Sequence, residues 1–437
     1  MKMTNMSMTR WGNYPVINSQ SLKFSNLTQL KDTISTHSDL IPRGNGRSYG
    51  DSALSKNVVQ VNPHDLFLDF DVDNGLLHVQ AGVLLADIIK VFVPRGWFLN
   101  VTPGTKLVTV GGAIASDVHG KNHHIVGCFS ECVEFFNLML PSGEIVKCSR
   151  VENTELFRAT CGGMGLTGII LDAKISLKSI QSKYINQTTI KTLNLKDTFS
   201  AFEEHKNAPY SVAWIDCLAS AKNLGRCLLT IGEFCTDGQL DYQPKAKINV
   251  PFNLPSFLLN QLSVKIFNWC YYRKVSQRIS QQKVGIDTFF FPLDAIGNWN
   301  RIYGKKGFTQ YQIILPKETS EAGLTEILQT IADSGKGPFL AVLKLFGKAN
   351  DNYLSFPIEG YSLALDFKIE DSLFKLLDVL DDIVLEYGGR VYLAKDVRVS
   401  QAVFEQSYPQ LSTFKALRSH YKMQHKFNSL QSKRIGL

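Results

Sequence analysis

A chain of 437 residues with 44% hydrophobic and 20% charged residues is too long for one hydrophobic core and too apolar to remain disordered, so two folded domains are expected. The formal net charge of +8 favours an anionic partner, yet there is no zinc-finger spacing and no long Lys/Arg block, so nucleic acid is not expected. No stretch approaches the ~20 apolar residues that span a bilayer; the polar residues 1–11 lack the apolar run of a signal peptide, and the eight cysteines include no Cys-x-x-Cys pair, so a reducing, cytoplasmic setting is the expectation.

Along the chain, residues 15–40 predict a strand, an Asn/Ser-rich turn and a helix. Residues 41–56 form a glycine-rich loop opening with Ile41-Pro-Arg-Gly-Asn-Gly-Arg-Ser-Tyr-Gly-Asp51. Short strands follow at 66–71 and 76–79, then a helix at 84–93 that Pro94 and Gly96 end. A second loop system, rich in Gly, Thr and His, covers 101–128. A strand at 133–140 turns through Pro141-Ser-Gly-Glu144 into another at 145–148. A short helix at 154–159 and the run Cys161-Gly-Gly-Met-Gly-Leu-Thr-Gly168 lead into a strand at 169–177.

Composition then shifts to Lys, Ser, Asn and Gln over 179–210, which places a domain crossing near 185. Beyond it, strands are predicted at 211–217, 227–232, 309–315, 339–346 and 361–367. Helices at 321–333 and 371–386 carry the 3.6-residue apolar period and each follow a strand, the pattern of an α+β domain. Residues 252–272 mix Phe, Leu, Ile, Trp and Tyr with few charges. They suit either a packed helix pair or a partly exposed apolar lid.

Three small motifs compete for the loops. Gly163-Met-Gly165-Leu-Thr-Gly168 matches Gly-x-Gly-x-x-Gly, but a dinucleotide fingerprint follows a strand and opens a helix, and here the order is reversed. Gly46-Arg-Ser48-Tyr-Gly50 matches a nucleophile elbow, but Pro42, Gly44 and Gly46 precede the serine and no helix follows closely. A nest of backbone N–H groups around phosphate, with Arg43 or Arg47 adding charge, is the better use of that loop. His119-Gly-Lys-Asn-His-His124, followed by Cys128 and Cys132, could supply zinc ligands, but Gly120 weakens a helix there and no metal is expected. A structural histidine cluster, or histidines set against a reactive ring or a phosphate, remain. Three glycine-rich approaches, at 42–51, 103–113 and 161–168, suit FAD, which has two phosphates and a large planar ring.

These words, together with Trp299-Asn-Arg-Ile-Tyr-Gly304, Gln310-Tyr-Gln312, Lys344-Leu-Phe-Gly347 and Ala394-Lys-Asp396, resemble the FAD-linked oxidases of the vanillyl-alcohol-oxidase-like superfamily. Within it the chain looks most like the decaprenylphosphoryl-β-D-ribose 2′-oxidase family, over nearly its whole length. The resemblance implies a two-domain α+β fold: a PCMH-type FAD-binding domain at 1–185, an antiparallel-sheet substrate cap at 186–389, and a C-terminal segment, 390–437, returning to the first domain. It implies oxidation of the ribose 2′-hydroxyl of a polyprenyl phosphosugar to the 2′-keto sugar, with an aldonolactone or sugar-alcohol oxidase as the alternative. A flavin-fold scaffold without chemistry is opposed by the presence of both His119 and Lys395.

Carried onto this chain, the cofactor set is Arg43, Gly44, Asn45, Gly46, Arg47, Ser48, Tyr49, Gly50, Gly104, Thr105, Thr109, Gly112, Ala113, Gly165, Ile169 and Lys395. Lys395 and His119 are the catalytic candidates. Lys121, Gln310, Gln312 and Lys344 resemble the polar lining of the substrate side, and Trp214, Leu293 and Phe346 its apolar walls. Many relatives attach flavin through a histidine in a Gly-x-Gly-His-Ser word; Arg47 stands there in this chain, so FAD is expected to be non-covalent. Val212, Phe290, Ser362 and Ala364 depart from the best-known pattern, each removing or shortening a polar group beside the sugar or trimming the wall. A short-chain reductase acting on the keto product and peripheral contact with the inner face of the membrane complete the expected partners.

Overall fold

The computed structural model describes residues 2–244 and 248–437. Strands Lys2–Met8, Ile17–Lys23, Asn57–Gln60 and Leu40–Arg43 lie in that spatial order in a four-stranded sheet, the last three mutually parallel. Parallel neighbours need a crossover. Helix Leu27–Thr36 supplies one: Asn26 caps it by accepting from the Gln29 amide, and Leu30, Thr33 and Ile34 form its buried side. A second sheet runs in the order Phe67–Asp71, Leu76–Gln80, Ile169–Ser179, Val133–Met139 and Ile145–Ser149, with Trp97–Leu99 also pairing on Ile169–Ser179.

The third sheet has eight antiparallel strands, ordered Ile279–Gly285, Tyr184–Lys191, Cys227–Phe234, Tyr210–Ile215, Leu340–Phe346, Gly360–Lys368, Phe308–Pro316 and Arg390–Val391. The crossing between the sheets lies at 180–183, and Arg390–Val391, just past the expected limit at 389, still belongs to the eight-stranded sheet. Its register decides what each face carries. Gln310 opposes Asp366 and Gln312 opposes Ala364; Lys344 opposes Ser362, and Trp214 opposes Val342. Residues two apart share a face, so these side chains look one way, and Ala213, Tyr311, Ile313, Leu343, Leu363 and Leu365 look the other. Against the apolar face pack helices Leu195–Glu204, Ser320–Ser334 and Leu373–Glu386. The second of these buries Leu324, Ile327, Leu328 and Ile331, an i, i+3, i+4, i+7 stripe.

Strands Tyr184–Lys191 and Ile279–Gly285 and helix Leu195–Glu204 are elements the sequence reading passed over. They lie at or near the sheet's edge, where polar residues such as Gln281 and Gln282 stay exposed and no apolar alternation develops. The packed helix pair considered for 252–272 is corrected. That stretch holds one short turn, Ser256–Leu258, and one helix, Gln261–Arg273, which buries only Val264, Asn268 and Tyr272.

The C-terminal segment closes on the first domain. The Leu40 amide donates to the Lys426 carbonyl at 2.7 Å, and the Leu430 amide to that of Leu54 at 2.8 Å. Arg434 bridges Asp51 and Asp396, at 2.8 Å to each. Both carboxylates are buried, and burial pushes Asp51 up to about 6 even though Arg434 opposes it. Removing the cation from two buried carboxylates strands their charge. Arg434→Met should therefore cost about 3 kcal/mol, read as a lowered urea midpoint with an unchanged slope.

Candidate active site

The loop after strand Leu40–Arg43 is held from both sides. Asn45 donates its side-chain amide to the Leu107 carbonyl at 2.7 Å. A Cβ on Gly44 would sit 2.2 Å from the Thr109 hydroxyl, and Gly46 has φ +64°, so only glycine fits this approach. Thr109 accepts from the Gly112 amide at 3.2 Å and opens helix Val110–Ala115, in which Ala113 is buried. The third loop docks on that helix: the Gly162 amide donates to Ile114 at 3.1 Å and the Met164 amide to Ala115 at 2.8 Å. Gly165, at φ +77°, lies against the Pro42 ring. Ile169 is fully buried at the head of its strand. The three loops are thus one body.

Among the described residues, the backbone amides of Gly44, Asn45, Gly46, Arg47 and Ser48 donate to no protein acceptor. Five successive unused donors on a partly exposed glycine loop suit the diphosphate of FAD. Arg47 lies over the Trp11 ring at 4.2 Å, and Arg43 donates to the Thr9 carbonyl at 3.0 Å. Gly104 faces open space, but the Thr105 hydroxyl is committed to Asp294 at 2.7 Å, so it ties this loop to the cap. Tyr49 donates its amide to the Ala394 carbonyl at 3.2 Å. A Cβ on Gly50 would fall 1.6 Å from the Asp396 carbonyl oxygen. The cofactor loop and the turn carrying Lys395 are therefore in direct contact. In that turn the amides of Lys395 and Asp396 both fold back to the Tyr392 carbonyl, and Asp396 points at Arg434.

Opposite the loops stands the polar face of the eight-stranded sheet. The Gln312 amide nitrogen donates to His119 Nε2 at 2.9 Å and to Ser362 Oγ at 3.1 Å. An amide nitrogen can only donate, so His119 Nε2 accepts and the ring's proton sits on Nδ1. That Nδ1 is buried without a protein partner, an orphan donor. The ring is packed by Phe346 at 4.8 Å and Tyr392 at 5.0 Å. Burial holds His119 well below the usual histidine range, with Lys344, His123 and Lys395 adding repulsion. The imidazole is neutral.

Lys121, Lys344 and Lys395 share this field. Burial lowers Lys121 to about 7, with Lys344 contributing, and lowers Lys344 to about 8. Burial also lowers Lys395; Asp366 opposes that and Lys344 adds to it. Lys121 donates to the Phe289 carbonyl and lies 4.4 Å from the centre of its ring. The side-chain amines of Lys344 and Lys395 make no hydrogen bond and no ion pair within 4 Å among the described residues; the Lys395 amine sits 3.8 Å above the Tyr49 ring. Gln310 spends its amide on Asp366 at 2.5 Å. With both glutamine NH2 groups engaged, their carbonyl oxygens remain as acceptors.

The apolar walls are unevenly placed. Phe346 abuts His119 and stacks on His123 at 4.3 Å. Leu293 packs on the cluster of Tyr49, Trp299, Tyr303 and Phe308. Trp214 is roofed by Tyr271 of helix Gln261–Arg273, at 4.8 Å, so that helix lies across one end of the polar face. Among the departures from the family pattern, Phe290 is corrected: it is buried among Phe98, Tyr210 and Phe234, part of the core. Trp11 and Asp366 are site residues that the sequence reading missed. A lone carboxylate inside the run Leu363-Ala-Leu-Asp-Phe367 is itself a signal, since Asp is seldom fully buried without a role or a partner.

Residues 30–149 match the family described as FAD binding domain. Over 412 residues the chain is 36% identical to the decaprenylphosphoryl-beta-D-ribose oxidase of Mycolicibacterium smegmatis, spanning 91% of this chain and 89% of that protein. It is 28% identical over 373 residues to an uncharacterized protein from the mprA 5′ region of Streptomyces coelicolor, spanning 81% of this chain and 100% of that one. It is also 28% identical over 165 residues to the L-gulonolactone oxidase of Bos taurus, spanning 37% of this chain and 36% of the other.

The lysine cluster has a consequence for stability. Lys344 titrates near 8 in the folded chain and near ~10.4 when unfolded. Between those values the unfolded chain binds more protons, so this contribution falls as pH drops through that window and stays low beneath it. Lys344→Met removes it. Without ligand, the melting temperature of the variant should fall less than that of the parent between pH 10 and pH 8.

Proposed function

This chain belongs to the decaprenylphosphoryl-β-D-ribose oxidase family, and from that premise we propose that it oxidises the ribose 2′-hydroxyl of a polyprenylphosphoryl-β-D-ribose to the 2′-keto sugar. It is an FAD-dependent oxidoreductase acting on a CH–OH group. The observation that carries the substrate reading is the pair Lys121 and Lys344, half-buried amines whose excess positive charge no carboxylate offsets among the described residues. An anionic phosphosugar balances that excess, whereas a neutral lactone or sugar alcohol leaves it unmatched. Lys121 and Lys344 take the phosphate as compact charges with rotatable donors. The free carbonyl oxygens of Gln310 and Gln312 accept from sugar hydroxyls, and Trp214, Leu293 and Phe346 wall the sugar in.

FAD, when bound, supplies the acceptor for the hydride from C2′. The protein must take the hydroxyl proton. His119 is poorly suited: its Nε2 lone pair is occupied by Gln312 and its Nδ1 already carries a proton. It orients a neighbouring acceptor instead. Lys395 has an uncommitted amine whose neutral form burial favours, so it accepts the proton. FAD is held without a covalent bond, because Arg47 stays protonated and stacked on Trp11.

The same reading extends to location and partners. Helix Gln261–Arg273 roofs Trp214 and exposes Leu262, Ile266 and Trp269 outward, with Phe257 beside them 70% exposed. Arg273 lies over Trp269 at 4.4 Å and Lys274 over Tyr271 at 3.6 Å. An apolar face with a basic rim at the site's end suits peripheral contact with an anionic bilayer, from which a lipid-linked sugar enters without its tail crossing water. No helix among the described residues is long and apolar enough to cross a membrane. We place the protein on the cytoplasmic side of that membrane, with a short-chain reductase consuming the keto product.

Lys395→Ala and Lys395→Met, each with full FAD content, should slow anaerobic flavin reduction by polyprenylphosphoryl ribose at least ~100-fold, the scale of a lost acid–base group. His119→Ala should be milder. The same preparations, denatured and filtered, should release all their yellow colour. Near wild-type reduction in both lysine variants would transfer the role to His119.

Flotation with vesicles containing phosphatidylglycerol should recover the intact protein. Leu262→Ser/Trp269→Ser should lose most of that recovery while keeping its flavin. Equal recovery would leave the helix as a roof only.

A further inference from the structure

Asp366 looks into the same site, and no step above uses it. It lies mid-strand in Gly360–Lys368, on the face shared with Gln310, Gln312 and Lys344, and is 1% exposed. Its carboxylate has two protein donors, Gln310 Nε2 at 2.5 Å and the Tyr303 hydroxyl at 3.5 Å, and both are neutral. No lysine or arginine comes within 4 Å of it among the described residues. Aromatic rings close the space around it: Tyr303 stacks on Phe308 at 4.2 Å, Phe308 meets Tyr49 edge-on at 5.3 Å, and Tyr49 carries the Lys395 amine at 3.8 Å. A buried carboxylate with only neutral donors lacks a full counter-charge, and so does a half-buried amine with none. These two are each other's opposite charge on one aromatic cluster.

We propose that Asp366 is a positioning residue for the proton step: its carboxylate is the counter-charge that keeps Lys395 over Tyr49 and governs when the amine is free to accept the hydroxyl proton. The inference rests on Lys395 as the proton acceptor. In that step the substrate O–H bond breaks and an N–H bond forms on Lys395. The C2′–H electron pair leaves with the hydride to FAD, and the C2′–O bond becomes a carbonyl. The resulting ammonium is stabilised by Asp366.

Several groups set the field around the pair. Lys344, from strand Leu340–Phe346, repels Lys395, and Lys395 in turn acts on His119. Tyr49, from the cofactor loop, feels Asp366, Asp294 and Arg47, and Tyr303 bonds to Asp366 from the turn Trp299–Tyr303. Burial raises Asp366 while Lys395 and the two donors oppose it. The two groups therefore titrate as a pair. Removing the negative member lets the amine lose its proton at lower pH.

The test is anaerobic flavin reduction of the holoenzyme by polyprenylphosphoryl ribose, followed from pH 5.5 to pH 9. In the wild type the rate should rise with pH along one limb. Asp366→Asn keeps an acceptor for Gln310 but removes the charge. At unchanged FAD content its limb should move down by about one pH unit or more, and Asp366→Glu should restore the wild-type position. Should Asp366→Asn fail to load FAD, Tyr303→Phe substitutes for it: losing one donor from the carboxylate should move the limb the same way, by less. An unshifted limb in Asp366→Asn, or in Tyr303→Phe where it stands in, overturns the proposal. So does a limb in Asp366→Glu displaced as far as in the Asn variant. Lys395→Met separates the two readings: a limb that survives there removes Lys395 as acceptor and this role of Asp366 with it, whereas a lost limb beside an unshifted Asp366→Asn removes Asp366 alone.

Discussion

The contact on which the rest of the site depends is the half-buried arginine between two buried carboxylates, Arg434 with Asp51 and Asp396. Burial penalises both carboxylates, and the shared guanidinium makes their proximity tolerable. It fastens the end of the chain to the cofactor loop, and through Asp396 to the turn that carries Lys395. Gly50 lets the two backbones meet, since any side chain there would collide with the Asp396 carbonyl. A residue at position 395 thus reaches a loop at position 50 through contacts that leave little slack.

The second constraint is the two-residue period of the strands. It divides the eight-stranded sheet into an apolar face covered by helices and a polar face left for a ligand. Gln310, Gln312, Lys344 and Asp366 come from three neighbouring strands, and their common orientation follows from register alone. A slip of one residue in any of these strands would turn its site residues into the helical layer. The buried leucines and isoleucines of the opposite face therefore hold the polar face in place. Asp117 does similar work on the other side: buried at φ +39°, its carboxylate accepts from Ser355, Asn350 and Asn352 of the cap. It ties the histidine loop to the second domain two residues before His119.

Charge is distributed to match. Positive potential concentrates where the loops face the sheet, and each cation there is shielded enough from water for burial to lower its proton affinity. Such an arrangement costs stability unless an anion occupies it. Functional sites are where proteins tolerate that cost.

The amino-acid sequence by itself determined the glycine loops, the histidine word and most central strands, because each rests on local rules: glycine where backbones must approach, alternation where one face is buried, an apolar stripe where a helix packs. Those rules fade at edges, so the polar strands Tyr184–Lys191 and Ile279–Gly285 and the single helix of 252–272 emerged only in the fold. Tertiary structure alone decided which polar atoms were already spent. A histidine suits a base by its reference pKa, but in the fold Gln312 occupies the free nitrogen of His119. Thr105 turned out to be committed to Asp294, Phe290 to the core, and Asp366 was brought beside Lys395 from 29 positions away in the chain. Hydrogen-bond commitment and electrostatic pairing depend on distances across the fold, which chain order does not encode at short range.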